Sequence, residues 1–358
     1  MIHFFIGTKA QFIKMAPLML ELQSRAIEYR YVDSGQHAGL TAKLRKCFGI
    51  AEPDVHLNKG KDITTIFSAI KWTLQLLSLA IFNKKKLKEI FPGGGICLIH
   101  GDTLSTILGL LLAKAAGLKV AHIEAGLRSF CIFHPFPEEL IRIYCMKKCD
   151  LLFAPSEESF NNLKKMKLKG AIYFTDGNTV ADSIRIAEKL TPSIEMPAKP
   201  FALATCHRLE TIASRKRLCR VVELINKVSE KTDVVFVIHS PTRKYLEKFG
   251  LFDRIRKGIE IKEMLDYIDF TSLIKASRFV LADGGSIQEE CFYLNKPCLI
   301  LRNKTERPDG LGENAMLWNF DDSVAEKFLA MAENYADTAK KTWPNPSSKI
   351  ADKLVKFG

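Results

Sequence analysis

The sequence has no cysteine pair at C-x-x-C spacing, although it carries nine cysteines, an odd number. Cys145 and Cys149 lie four apart with no His/Cys set at zinc spacing beside them. That pattern excludes a zinc site and a disulfide scaffold, and it fits reduced, mostly buried thiols in a cytoplasm. No signal peptide is expected either, since the sequence opens directly on the strand-like run Met1-Ile-His-Phe-Phe-Ile-Gly7. No apolar run is long and uninterrupted. Residues 63–82 come nearest, but Thr64, Thr65, Ser68, Lys71, Thr73, Gln75 and Ser78 break them up. A largely buried soluble helix is expected there, with no stable membrane insertion. Fine-scale repeats and low-complexity segments are absent. Acid is scarce relative to base: 40 Asp and Glu against 53 Lys and Arg give a formal charge of +13. The surplus predicts an anionic partner, while runs such as Lys84–Lys86 read as solvated faces. An apolar share of 47% excludes intrinsic disorder.

What is present is an alternation of short apolar runs with helix-length amphipathic segments over 358 residues, which predicts an α/β fold with mainly parallel sheets. Strands are expected at Ile2–Ile6, Tyr29–Val32, Ile96–His100, Val120–Ile123 and Leu151–Ala154. Helices are expected at about 12–24, 40–48, 63–82, 105–116 and 138–148. The pattern restarts with strands at Ala202–Thr205, Val234–His239, Ile259–Ile261, Phe279–Ala282 and Cys298–Leu301. The expected architecture is two Rossmann-like lobes facing a cleft: 1–170 with a returning C-terminal helix at 345–358, and 171–344. Ligands would sit at the C-terminal ends of the strands.

Polar residues collect at those ends. After the first strand comes Gly7-Thr-Lys-Ala-Gln-Phe-Ile-Lys14, where Gly7 permits a tight turn and Lys9 and Lys14 add charge beside a helix N-terminus suited to phosphate. Strand Ile96–His100 ends on Gly101-Asp102-Thr103, and the next ends on His122-Ile-Glu124-Ala-Gly-Leu-Arg128. Glu138 and Glu139 open a helix after Pro137, with Arg142, a candidate substrate-binding residue, one turn below Glu138. A single acidic pair there would serve the helix dipole. Acids at three neighbouring strand ends or helix starts suit proton transfer at carbon, which needs an acid and a base on the reacting faces.

The second half offers a cationic edge instead. Thr205-Cys-His207-Arg208 and His239-Ser-Pro241 follow consecutive strands, a placement that suits charge stabilisation of a departing phosphate. Asp283-Gly-Gly-Ser-Ile-Gln-Glu-Glu290 follows the next strand. Gly284 and Gly285 permit close backbone approach to a pyrophosphate, and Ser286 with Glu289 predicts a capping box. Glu290 suits ribose hydroxyls, and Arg307 brings a further guanidinium.

The segments GTKAQFIKMAP, HGDTLST, HIEAGLRS, FPEELIR, FAPSE, DGNTVADS, TCHRLET, DGGSIQEE and LRNKTERPD fall in the order seen in the non-hydrolysing UDP-N-acetylglucosamine 2-epimerase family, which the chain resembles over nearly its whole length. The resemblance implies a GT-B-like pair of Rossmann-like lobes, usually dimeric, with UDP on the C-terminal lobe. It implies interconversion of UDP-GlcNAc and UDP-ManNAc with neither metal nor nicotinamide. UDP and the C2 proton would leave anti, and UDP would re-add to the 2-acetamidoglucal. It implies that Asp102, Glu124 and Glu138 form the acid/base set, that His207 assists departure of UDP, and that Lys14, His239, Glu290 and Arg307 hold the nucleotide. A homodimer acting on a UDP-sugar, without nucleic acid, is therefore expected.

Departures from the family pattern are few. Lys9 stands where the family start carries Arg, and the two are not equal phosphate partners. DGGS replaces DSGG, moving the hydroxyl to Ser286, Ile141 replaces an Asn, and Asp309 replaces a Glu. Gln36-His37 is similar to the family's QH segment. The QFIK and HIEAGLRSF runs also resemble relatives acting on UDP-diacetamido-uronic acids. The alternatives are such a substrate, a hydrolysing enzyme, or an inactive nucleotide-sugar-binding protein.

Overall fold

The computed structural model describes residues 1–58, 62–63, 65–131, 137–335 and 343–357. Thr64 of the expected helix and Phe136 of the FPEELIR segment lie outside them. In chain order the first elements are β1 (Ile2–Ile6), α1 (Lys9–Ser24), β2 (Tyr29–Asp33), α2 (Ala38–Phe48), β3 (Val55–His56), α3 (Ile66–Phe82), α4 (Lys84–Ile90), β4 (Ile96–His100), α5 (Leu104–Ala115), β5 (Lys119–Ile123), α6 (Glu138–Lys148), β6 (Leu151–Ala154), α7 (Glu157–Lys165), β7 (Ala171–Phe174) and α8 (Val180–Ala187). Then come β8 (Phe201–Cys206), α9 (Leu209–Ile212), α10 (Arg215–Val228), β9 (Asp233–Ile238), α11 (Ser240–Lys248), β10 (Glu260–Glu263), α12 (Tyr267–Ala276), β11 (Phe279–Ala282), α13 (Gly285–Tyr293), β12 (Cys298–Ile300), β13 (Ala315–Leu317), α14 (Asp322–Glu333) and α15 (Pro346–Val355).

Contacts divide the chain into Met1–Ile186 with Pro344–Gly358, and Ala187–Trp343. The division falls beyond the expected 170 because β7 ladders onto β6, Leu151 opposite Ala171, and so belongs to the first sheet. Each unit is a Rossmann-like parallel sheet with helices between its strands. The first sheet runs β3-β2-β1-β4-β5-β6-β7 and the second β10-β9-β8-β11-β12-β13. Strand order reverses between β1 and β4, and again between β8 and β11, and ligands of open α/β sheets bind beside such reversals. Central strands such as β1, β4 and β6 are buried along their whole length, which explains their continuous apolar runs. The helix α15 returns to α1, where Arg25 meets Asp352 at 2.6 Å and Ser348 Oγ at 2.6 Å.

Two expectations are corrected. The turn after β1 is nearly all helix: Thr8 caps α1 and Gln11 completes a capping box, so Lys9 is the first helical residue. Gly7 is required there for space, since a Cβ would come within 1.9 Å of Ser105 Oγ. The helix α3, expected to be largely buried, buries only Trp72 and Leu76. Ile66, Phe67, Ile70, Leu74, Ile81 and Phe82 are exposed, Phe67 by 84%. Among the described residues no single helix is long and apolar enough to cross a membrane, and α3 breaks from α4 by 105°.

Candidate active site

In the first unit the β4 and β5 ends bring an acidic and a cationic set together. Glu124 follows β5 with φ of 66°, a left-handed backbone that is uncommon for a residue with a side chain and that recurs at functional sites. Its carboxylate is buried and its Oε2 accepts from Lys14 Nζ and from Asn178 Nδ2. His100 Nε2 lies 3.9 Å from the same oxygen. The other oxygen faces Gly101, 3.9 Å from where a Cβ would stand. His122 Nε2 bonds the Gly101 carbonyl at 2.7 Å. Burial pushes the His122 imidazole down to about 4, against the smaller opposing effect of that bond.

Asp102, next in the chain, receives the guanidinium of Arg142 from α6. Arg142 was expected to pair with Glu138, one turn above it. It pairs instead with Asp102 and, at 3.1 Å, with Glu139. Glu139 is fully buried and also accepts from Arg128 Nε and from the Ser129 amide at 3.1 Å. Burial works to raise its carboxyl, but Arg128, the Ser129 N–H and Arg142 hold it below the ordinary value. Glu138 starts α6 half-buried, with an Oε2 that is shielded from water and has no hydrogen-bond partner among the described residues. Side by side in the chain, one glutamate is held by two arginines and an amide, and the other has an oxygen that no described residue bonds. Gln11 completes this edge, its Oε1 accepting from the Gly7 and Thr8 amides at 3.0 and 3.1 Å and its Nε2 donating to the His100 carbonyl at 2.8 Å.

In the second unit Asp283, fully buried after β11, organises the β8 end. It accepts from the His207 amide at 3.0 Å and the Arg208 amide at 2.8 Å, and its Oδ1 lies 3.4 Å from His207 Nδ1. His207 stacks on His239, the N-cap of α11, with ring centroids 4.8 Å apart. Desolvation lowers the His207 imidazole, Asp283 opposes the shift, and Arg208 and Arg302 add to it. A Cβ on Gly284 would approach His207 Cε1 to 2.9 Å, so this glycine makes room for the ring.

The helix α13 starts at Gly285 with Gly284 as its N-cap and no side-chain capping bond. The expected box of Ser286 and Glu289 therefore does not form: Ser286 lies inside the first turn, and Glu289 is buried against Arg307. Glu290 lies on the buried face of the same helix. Arg302 meets Glu210 at 2.9 Å and Glu306 at 3.2 Å. Burial would raise the Glu306 carboxyl, but Arg307, Arg302, its own backbone and Arg208 bring it to about 2. The C-terminal edge of this sheet is thus rich in guanidinium groups balanced by their own carboxylates, with the N-terminus of α13 beside it.

Lys9, Lys14 and Arg142 belong to the first unit, and His207, His239, Gly284, Gly285, Ser286, Glu290 and Arg307 to the second. Sequence reasoning assigned no site role to Glu139, Asn178, Asp283 or Arg302. The available signal was their position inside motif segments, because Glu139 reaches Arg128, Asn178 reaches Glu124, Asp283 reaches His207 and Arg302 reaches Glu210, partners 11, 54, 76 and 92 residues away in the chain.

The family model for UDP-N-acetylglucosamine 2-epimerase matches residues 20–349. The chain is 31% identical to the UDP-N-acetylglucosamine 2-epimerase of Methanocaldococcus jannaschii over 372 residues, covering 98% of this chain and 97% of that one. It is equally 31% identical, over 98% of both chains, to the UDP-2,3-diacetamido-2,3-dideoxy-D-glucuronate 2-epimerase of Pseudomonas aeruginosa. The crystal structure of the Neisseria meningitidis UDP-GlcNAc 2-epimerase bound to UDP-GlcNAc superimposes with a TM-score of 0.83, at 28% identity and over 99% of both chains. Motif order, two Rossmann-like units and full-length similarity agree: the chain is an enzyme of the UDP-N-acetylglucosamine 2-epimerase family.

Proposed function

We propose that the enzyme interconverts UDP-GlcNAc and UDP-ManNAc without hydrolysing them, by anti elimination of UDP and re-addition. A carboxylate takes the C2 proton, the C1–oxygen bond breaks, and its electron pair leaves with UDP. The resulting 2-acetamidoglucal is then protonated on the opposite face of C2 while the UDP oxygen re-forms the bond to C1. The chemistry requires acid/base groups in unlike states, and the carrying observation is that unlikeness. Glu124 is clamped by a cation and an amide at the strand end next to Asp102, while Glu138 has a shielded oxygen without a partner among the described residues. Unlike surroundings are what divide acid from base among carboxyl groups.

His207 and the arginines of the second unit then stabilise the charge of the departing diphosphate. Lys9, Ser286, His239, Glu290 and Arg307 are assigned to substrate binding, and Asp102, Glu124, Glu138 and His207 to catalysis. Lys14 is assigned to Glu124, and Arg142 to Asp102, in place of direct nucleotide contact. The similarity to the Pseudomonas aeruginosa enzyme supports a second reading, in which the sugar is a UDP-2,3-diacetamido-uronate. We also propose a homodimer, supported by the exposed apolar side chains that α3 carries in series, Ile66, Phe67, Ile70, Leu74, Ile81 and Phe82.

Proton NMR of the protein with UDP-GlcNAc in D₂O tests the reaction. UDP-ManNAc with deuterium at C2 is expected. Accumulation of free ManNAc and UDP would establish a hydrolase, and the absence of C2 exchange would overturn the substrate.

A further inference from the structure

The DGNTVADS segment is a motif of the sequence to which the proposed chemistry assigns no part. It forms the β7–α8 connection and the first turns of α8, at the edge of the first sheet. Asp176 and Gly177 both have positive φ, 56° and 139°, so the chain reverses sharply before Asn178. Thr175 Oγ1 reaches the Ala154 carbonyl at 2.9 Å and the Gly177 carbonyl at 2.8 Å. Ser183 Oγ donates to the Ile13 carbonyl at 2.5 Å, the residue before Lys14. Asp182 accepts from the Ser347 amide of α15 at 2.9 Å. The segment therefore ties together α1, β6 and α15, and Asn178 projects from it toward the end of β5.

Asn178 is 3% exposed. Its Oδ1 accepts from the Val180 amide at 3.2 Å, so the amide's orientation is determined and Nδ2 faces Glu124 Oε2. We infer that Asn178 is a positioning residue for the reaction: with Lys14 it holds one oxygen of Glu124, so that the other is presented on the Gly101–Asp102 side. The arrangement places a neutral donor and the Lys14 ammonium on one carboxylate oxygen. A second carboxylate in place of the amide would face Glu124 inside the same pocket. This assignment rests on the epimerase reading for its kinetic consequence, but not for its electrostatic one.

Two variants test it. Asn178→Asp is isosteric and keeps an acceptor for Val180. Asn178→Ser keeps that acceptor within the turn but cannot reach Glu124. The charged and titratable groups around Glu124 are Lys14 from α1, His100 from β4, His122 from β5, and Asp102 with its Arg142, and all remain in both variants. In the full-length enzyme, Asn178→Asp is expected to move the acid limb of the kcat profile to higher pH. The loss should be about tenfold or more at low pH, with recovery as pH rises and KM for UDP-GlcNAc within about twofold. Asn178→Ser should lower kcat on the order of tenfold, again with KM preserved.

Independently of turnover, carbon-13 titration of glutamate-labelled protein, with the Glu124 signal identified by its loss in Glu124→Gln, should show Glu124 titrating at higher pH in Asn178→Asp. Wild-type protein that leaves UDP-GlcNAc unchanged would sink the substrate reading, and the Glu124 titration would still decide this one. Glu124 titration unaltered in Asn178→Asp, or in Asn178→Ser should the first variant not fold, overturns the assignment.

Discussion

Arg142 binds Asp102 and not Glu138, although Glu138 stands one turn above it on the same helix. The guanidinium thereby ties α6 to the end of β4, and its second contact, Glu139, carries Arg128 as well. Two glutamates adjacent in sequence are thus assigned opposite duties.

Substitution separates those duties. Glu139→Gln leaves the buried guanidinium of Arg142 and the half-buried one of Arg128 short of counter-charge, and chemical denaturation should show a loss of about 3 kcal/mol. Glu138→Gln removes a carboxyl whose Oε2 has no partner among the described residues. It should leave stability within about 0.5 kcal/mol while lowering C2 deuterium uptake on the order of a hundredfold. The reverse pattern would exchange the two roles.

Ser286→Ala provides a check on α13. Gly284 is the N-cap and no side-chain cap exists, so the customary loss of about 1 kcal/mol for a deleted cap should not appear. Weaker UDP binding by calorimetry is expected with thermal stability unchanged. A clear fall in Tm would restore the capping role that the sequence pattern suggested.

His122 makes the fold acid-sensitive. Its imidazole titrates at about 4 in the folded chain against an ordinary 6.5, so the unfolded chain binds the proton more readily between those values. Stability is therefore fully retained above about pH 6.5 and declines as pH falls toward 4, by about 3 kcal/mol from this group. Urea unfolding across that range should show the decline, and His122→Asn should flatten it. An identical slope in the variant would assign the effect elsewhere.

The exposed stripe on α3 predicts self-association. Leu74→Glu and Ile81→Lys together should shift the molar mass by light scattering from dimer to monomer without a loss of secondary structure. A wild-type protein that is already monomeric at micromolar concentration would remove the homodimer from the proposal.

Strand positions were readable wherever a strand is buried on both faces. Ile96–His100, Leu151–Ala154 and Phe279–Ala282 are continuous apolar runs, and they form β4, β6 and β11 with those bounds. The short β3, the β13 strand and the edge strand β7 were not foreseen, and β7 has no fully buried residue to mark it. Candidate chemistry was readable because strand ends are punctuated by Gly, Asp, His and Glu, and parallel sheets carry those ends to one edge.

The sequence by itself determined the two-unit α/β class, the family and the residue types at each strand end, because these depend on local pattern and motif order. Tertiary structure alone decided that α3 shows its apolar side to solvent, that Arg142 chooses Asp102, that Asp283 anchors His207, and that Asn178 reaches Glu124. Those outcomes depend on which elements pack together, and no local periodicity encodes a hydrogen bond between residues 54 positions apart.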